Sequence, residues 1–352
     1  MSRVSKIQQN LGELDALFIT DPISIRYASG FFITDGAAVI ARDRAWFITD
    51  SRYVEAARSQ IQDMEVLCVS REKPLRDCVR EVIAAAGPVV GAEEDRLSQA
   101  QWTAYEKDLG VSFRPAARIL SGLRAVKDAG EIELATKAQR IAEKALDEIL
   151  GIIRPGMTEK QVAAELVYRM YKYGGEANSF DPIVVTGAKT SMPHGVPGDV
   201  VIAEGDFVTM DFGTMYGGYC SDMTRTVAVG SASPEMRDIY AIVLEAQLAG
   251  IAAAKAGVPG NAIDGAARRV IEKAGYGQYF GHGFGHSLGL EIHEAPNANT
   301  ANDKPMPLGA FISAEPGIYL PGKFGVRIED TMWLREDRAE VVTKAPKELI
   351  VL

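Results

Sequence analysis

Two stretches in the second half of the chain carry the clearest hydrophobic patterning. Residues 208–227, VTMDFGTMYGGYCSDMTRTV, are two apolar arms that meet at Tyr216-Gly217-Gly218-Tyr219, and a glycine pair between such arms predicts a β-hairpin. A two-residue loop centred on Tyr216-Gly217 sets Asp211 opposite Asp222, whereas one centred on Gly217-Gly218 makes them diagonal neighbours. Either register puts both carboxylates on one face. Like charges that close destabilise a strand pair unless a cation or a shared proton lies between them. A metal is the economical explanation. Residues 308–334, LGAFISAEPGIYLPGKFGVRIEDTMWL, repeat the pattern around a turn at Pro321-Gly322, with Glu315 on one arm and Glu329 on the other.

The interval from Asp211 to Glu315 equals the interval from Pro155-Gly156 to Pro259-Gly260, and each Pro-Gly break sits between two amphipathic runs. A shared offset predicts an internal duplication: helix, Pro-Gly, helix and hairpin, twice, each copy donating two carboxylates to one site. Upstream, strand and helix signals alternate. Strands are expected at 16–20, at 37–49 broken by Arg42-Asp43-Arg44, at 66–70 and at 89–90, and helices at 51–60, 75–86 and 99–109. This is a small α/β domain. Asp128 and Glu131 stand at capping-box spacing before a long helix, Thr158 and Gln161 repeat that spacing after the first Pro-Gly, and Ser233-Pro234 opens the helix after the first hairpin. The boundary falls near residue 124, which gives domains 1–124 and 125–352.

Composition removes several function classes. With 47% hydrophobic residues in 352, the chain can bury more than one core. Its net charge of −9 and lack of a dense Lys/Arg block argue against a nucleic-acid partner. No apolar run reaches the roughly 18 residues of a membrane span, and charges are scattered through residues 1–17 where a leader needs a continuous apolar core. A cytoplasmic protein without a membrane partner is expected. Cys68, Cys78 and Cys220 are odd in number and lack CxxC spacing, so they read as buried small hydrophobes rather than disulfides or thiolate ligands.

The chain has four histidines, His194, His282, His286 and His293, all in the second domain. A single histidine is most often a hydrogen-bonded structural residue, but three within twelve positions shift the weight towards a site. His282-Gly-Phe-Gly-His286 is too glycine-rich for a stable helix, so its spacing does not imply a helical metal pair. His293 lies seven residues past His286, which sends the two to opposite faces of a regular strand, and spacing alone leaves their convergence open.

With these residues assembled, the chain resembles the metallopeptidases of the pita-bread fold, in the Xaa-Pro aminopeptidase and prolidase branch. The resemblance rests on Asp211 in MDFG, Asp222 in SDMTRT, His286 in HGFGHSLGLEIHEAP, Glu315 in EPGIYLPG and Glu329 in GVRIED. It extends to the first domain, where residues 21–31 follow an NPxxIRYxxGF-like pattern and TDSRY occupies 49–53, as in the creatinase-type amino-terminal domain; Ser51 stands where glycine is frequent. The implied fold is an α/β two-domain protein, a creatinase-like amino-terminal α/β domain followed by a pseudo-twofold pita-bread α+β catalytic domain.

The resemblance also implies roles. Asp222 and Glu329 would bridge two divalent metal ions, Asp211 would hold one, and His286 with Glu315 the other. A donor set rich in oxygen with one imidazole suits Mn²⁺ or Co²⁺ and tolerates Zn²⁺. Glu315 would carry a proton to the leaving nitrogen, His293 would stabilise the oxyanion, and His194 in SMPHGVP would orient the substrate. Arg327, two residues before Glu329 and so about 7 Å away on the same strand face, would fix a carboxylate or join the proton path. His282 would support the site from behind, and Phe180 in NSFDPIV would line the pocket for the proline ring. The expected substrates are small peptides with proline in second position, and a homodimer is the family habit.

Three functions compete: an Xaa-Pro aminopeptidase, an Xaa-Pro dipeptidase, and a non-catalytic binding protein on the same fold. All five ligand positions are filled, which favours a hydrolase. Asn297 separates the first two, because prolidases of this branch often read HExPR where this chain reads HEAPN. The arginine can clamp a dipeptide's free carboxylate, and its replacement leans the reading towards the aminopeptidase.

Overall fold

The computed structural model describes residues 1–352. They form two compact units, Met1–Arg124 and Ala125–Leu352. In the first, a six-stranded sheet runs in the order Glu65–Cys68, Ala45–Thr49, Gly36–Ala41, Ala16–Ile19, Val90–Ala92, Arg114–Pro115. The Leu75–Ala86 and Gln99–Leu109 helices fall where the apolar spacing puts them. The third begins at Val54 rather than residue 51, because residues 51–53 form a turn. Three further helices, Arg3–Gln9, Pro22–Ser29 and Ala117–Arg124, went unread in the sequence. They are short, and the second is announced only by its Asp21 cap and Pro22.

Burial does not extend to all three of the cysteines expected inside. Cys78 and Cys220 are buried, but Cys68 is exposed. It ends an edge strand whose outer positions face solvent, so the apolar look of EVLC does not translate into burial.

The second unit contains the helix, Pro-Gly, helix and hairpin succession twice. Ala129–Leu150 and Glu159–Lys172 flank the first break, with capping boxes at Asp128/Glu131 and Thr158/Gln161. Pro234–Ala253, capped by Ser233, and Gly260–Lys273 flank the second. Each copy supplies most of one core, and Phe207 and Ala228 of the first hairpin join that of the second. Ile141, Leu146, Leu166 and Met170 pack on Val208, Met210 and Phe212 in one, and Ile239, Val243, Ile263 and Ile271 pack on Ile312, Ala314 and Ile318 in the other.

The first hairpin pairs Phe207–Phe212 with Met223–Ala228, Asp211 facing Thr224, and continues through Tyr216 facing Tyr219. Its loop is therefore Gly217-Gly218, both residues at positive φ as this tight turn requires. Of the two registers the sequence left open, the diagonal placement of Asp211 and Asp222 is the one adopted. The second hairpin pairs Phe311–Ala314 with Asp330–Leu334 and Gly317–Leu320 with Phe324–Arg327 in a single register, which sets Glu315 opposite Glu329. Its turn takes three residues, Pro321, Gly322 and Lys323, one more than the Pro-Gly pair suggests.

The hairpins are joined edge to edge. Glu329 N–H donates to the Thr224 carbonyl (3.1 Å), and the Thr226 hydroxyl donates to the Arg327 carbonyl (3.0 Å). The buried Arg225 guanidinium donates to the Glu329 carbonyl at 2.6 Å and to Asp330 Oδ1 at 2.8 Å, so one cation ties the arm bearing Asp222 to the arm bearing Glu329.

Candidate functional site

The two hairpins and the glycine-rich strand Gly285–Ser287 close around a cavity of about 440 Å³. Its wall includes Asp211, Asp222, His286, Glu315 and Glu329, the whole expected ligand set. His194, His282, His293, Arg327, Phe180 and Asn297 line the same cavity.

Acceptors converge there. His286 Nε2 lies 3.5 Å from Asp222 Oδ2 and 3.3 Å from Glu315 Oε1. Its Nδ1 lies 3.2 Å from the Ser287 carbonyl, so the ring donates from Nδ1 and turns the lone pair of Nε2 towards the carboxylates. Burial lowers the His286 pKa and keeps that ring neutral. Asp211 Oδ1, Asp222 Oδ1 and Glu329 Oε1 are buried without a hydrogen-bond partner. Buried carboxylate oxygens are costly unless paired. Burial, then the charges of Glu329 and Asp211, push the Asp222 carboxyl well above its usual range. Burial, then Glu315 and Asp211, do the same to Glu329, and burial raises Glu315. A lone pair and three orphaned oxygens aimed into one space are what cations would satisfy, and ligand atoms of Asp222, His286 and Glu329 lie within 4.8 Å of one another. The residues fit divalent metal.

The groups around the carboxylates are organised as a chain. Arg327, only 4% exposed, donates from Nη2 to Asp211 Oδ2 (2.7 Å), from Nε to the Thr224 hydroxyl (3.0 Å) and from Nη1 to the Tyr319 hydroxyl (3.0 Å). The Thr224 hydroxyl in turn donates a hydrogen bond to Glu329 Oε2 at 2.7 Å. Tyr319 Oη stands 2.9 Å from His282 Nε2, and His282 Nδ1 stands 2.9 Å from the Gly283 carbonyl. Arg327 is thus no surface cation, and His282 is linked to Asp211 through Tyr319 and Arg327.

Tyr319 and Thr224 escaped the sequence reading. The signal for Tyr319 was its even spacing from Glu315, which puts both on one strand face. Thr224 sits two residues beyond Asp222 on the same arm.

His293 converges with His286 after all, their ring centroids 4.4 Å apart at 68°. The chain turns back after Ser287, and Ser287 pairs with Glu294 on the returning strand, so the two histidines approach across a strand pair instead of along one strand. Burial and the neighbouring His286 lower the His293 pKa.

These features place the chain among metal-dependent hydrolases. It belongs to metallopeptidase family M24, whose pattern matches residues 133–336, while residues 3–126 match the creatinase/prolidase N-terminal domain. An Xaa-Pro dipeptidase of Pyrococcus furiosus is 36% identical over 99% of this chain and 99% of its own. Among solved structures, an Xaa-Pro dipeptidase from Bacillus anthracis superposes with a TM-score of 0.95 at 42% identity, covering 99% of both chains. An X-Pro aminopeptidase from Thermotoga maritima superposes at 0.94 with 38% identity, covering 98% of this chain and 99% of its own. The family implies divalent metal ions. No helix is long and apolar enough to cross a membrane.

Proposed function

We propose that this protein hydrolyses the peptide bond between an amino-terminal residue and a following proline, with a preference for peptides longer than two residues. The observation that carries the reading is the convergence of unpartnered oxygens of Asp211, Asp222 and Glu329 with Nε2 of His286, in a cavity that also holds His194, His293 and Glu315. In our assignment Asp211, Asp222, His286, Glu315 and Glu329 would together hold two divalent cations. Mn²⁺ or Co²⁺ best suits that donor set, and Zn²⁺ is tolerated. When bound, the metals supply a water activated at neutral pH and Lewis acidity towards the scissile carbonyl.

The protein's own residues do the rest. Glu315, whose carboxyl burial pushes upward, is suited to hold a proton on its carboxylate and hand it to the leaving proline nitrogen. His293, kept neutral by burial, donates an N–H to the oxygen on which negative charge develops. His194 orients the substrate, and Phe180 with Ile183 and Pro193 gives the pyrrolidine ring an apolar surface. Arg327 fixes Asp211.

The preference for longer peptides rests on the same wall. Arg327 is the guanidinium of the cavity, and Asp211, Tyr319 and Thr224 already engage it. Asn297 offers no charge to a dipeptide's carboxylate. The names of the Bacillus anthracis and Pyrococcus furiosus relatives favour the dipeptidase as the second reading. Turnover of Ala-Pro against Ala-Pro-Ala with Mn²⁺ tests the two, and wild type should prefer the tripeptide. Asn297→Arg should raise kcat/KM for Ala-Pro about tenfold, the equivalent of ~1.4 kcal/mol, without improving Ala-Pro-Ala. Better cleavage of Ala-Pro by wild type would give the dipeptidase the lead. A homodimer in the cytoplasm completes the proposal, and sedimentation of the loaded protein tests its assembly.

A further inference from the structure

We infer that Lys127 is a positioning residue for both His286 and His293, acting through the residue that follows each of them. The inference rests on the roles proposed above for those two histidines. Lys127 is 3% exposed, and its Nζ lies 2.9 Å from Ser287 Oγ and 3.1 Å from Glu294 Oε2. Ser287 follows His286, and Glu294 follows His293. The Ser287 hydroxyl donates its proton to the Phe311 carbonyl (2.9 Å), so it accepts from the ammonium. Glu294 uses Oε1 to accept the Glu291 N–H (3.1 Å), closing the turn that presents His293. One ammonium therefore holds both sides of the strand pair on which the two imidazoles meet.

The base of this clamp is rigid. Lys127 N–H donates to the Gly309 carbonyl (2.9 Å), and the next residue, Asp128, caps the 22-residue helix Ala129–Leu150. Space for the pair is made by Gly289, where an added Cβ would lie 2.9 Å from the Glu294 carboxylate oxygens and 3.0 Å from Lys127 Cε. Stability does not explain such an arrangement, since well-packed apolar residues replace buried ion pairs at little or no loss. What an ammonium adds is a donor to the Ser287 hydroxyl and a charge beside the Glu294 carboxylate, which together fix where the two stand.

The test separates positioning from folding. In metal-free Lys127→Met, the imidazole resonances of His286 and His293 should shift and broaden while those of His194 and His282 hold still. The chain's four histidines make the spectrum assignable by single substitution. With saturating Mn²⁺, kcat should fall about 10- to 100-fold, the range seen when groups orienting ligands are removed, and KM should stay within about twofold. The double variant Lys127→Met/Glu294→Leu should regain thermal stability over Lys127→Met but not kcat. Gly289→Ala, which keeps both charges and displaces them, should give the same kcat and histidine signature more weakly, and it serves if Lys127→Met fails to fold. Recovery of kcat together with stability in the double variant, or unmoved histidine resonances in the folded variants, overturns the inference. An inert His293→Ala would overturn the role on which it rests, whereas a damaging His293→Ala beside a silent Lys127→Met overturns Lys127 alone.

Discussion

In the first half of the catalytic unit, helix, Pro-Gly, helix and hairpin end with Asp211 facing Thr224; in the second half the same succession ends with Glu315 facing Glu329. One step towards the turn, the register of the first hairpin sets Gly213 against Asp222, and that of the second sets Gly317 against Arg327. Asp211 and Glu315 are thus true counterparts, but the counterpart of Asp222 is a guanidinium and the counterpart of Glu329 is a hydroxyl. Each half still donates two carboxylates, from unlike positions. Strict symmetry would have placed either two more carboxylates or none beside Asp211 and Glu315. The departure supplies Arg327 to neutralise and aim Asp211, and Thr224 to connect Arg327 with Glu329.

Away from the carboxylates the halves repeat more closely. Glu159 in the first turn of one second helix accepts from the backbone N–H groups of Thr186 and Gly198, on either side of His194. Asp264 near the start of the other accepts from Phe284 N–H, between His282 and His286. In both halves a buried carboxylate on a helix steadies a histidine-bearing segment, which a loop could not do for itself.

The largest effect that would break the comparison comes from the metals, since four carboxylates from two hairpins tolerate one another only around cations or with protons retained. Chelation should reduce peptide hydrolysis to assay background, and Mn²⁺ or Co²⁺ should restore it. Full activity in chelator would sink the assignment. The same charges govern stability. The Asp222 and Glu329 carboxyls are pushed up by burial and mutual repulsion, so the metal-free fold retains protons that the unfolded chain releases above the ordinary carboxylate range. Metal-free stability therefore falls as pH rises through and beyond that range, whereas bound cations take the place of the protons. The gap in Tm between Mn²⁺-loaded and metal-free protein should widen from about pH 5 to about pH 8. A gap that stays constant would mean that the carboxylates do not compete with protons for the cations.

Arg327 comes next, because it breaks the symmetry and serves both hairpins. Lysine keeps the charge but cannot reach Asp211, Thr224 and Tyr319 together from one point charge. Arg327→Lys should lower kcat on the order of 100-fold, about 2.7 kcal/mol, with the metals still bound at saturating Mn²⁺. A variant within threefold of wild type would reduce Arg327 to a neutralising charge.

What the sequence made legible follows from period and spacing. Apolar arms around Gly217-Gly218 and Pro321-Gly322 announced both hairpins, and capping chemistry at Asp128, Thr158 and Ser233 announced two helices before the first and one between them. The duplication was readable because its breaks and carboxylates share one offset, and the candidate ligands all line one cavity. The unequal counterparts were not readable, because a hairpin's register depends on its turn, and the second turn takes three residues where Pro-Gly suggested two. Convergence of His286 and His293 required a reversal of the chain after Ser287, which no periodicity reports. Lys127 stands in a polar stretch before a helix with nothing in its spacing to single it out, and only the fold brings it to Ser287 and Glu294.

The smallest expected effect isolates the other unequal position. Thr224 accepts from Arg327 Nε and donates to Glu329 Oε2, so its hydroxyl is the single atom that couples the group replacing a carboxylate to the carboxylate facing Glu315. Valine has nearly the same shape and no hydroxyl. Thr224→Val should leave a buried guanidinium N–H and a carboxylate oxygen each short of a partner, a loss of about 1–3 kcal/mol. Since Glu329 belongs to the proposed metal set, much of that loss should show as weaker Mn²⁺ binding in a metal titration and less as a change in KM. Thr224→Ser keeps the hydroxyl and should stay close to wild type, which controls for the lost methyl group. Equal Mn²⁺ affinity in the valine and serine variants would show that Arg327 and Glu329 act independently, and the hydroxyl facing Asp211 would then be no more than filling between two strands.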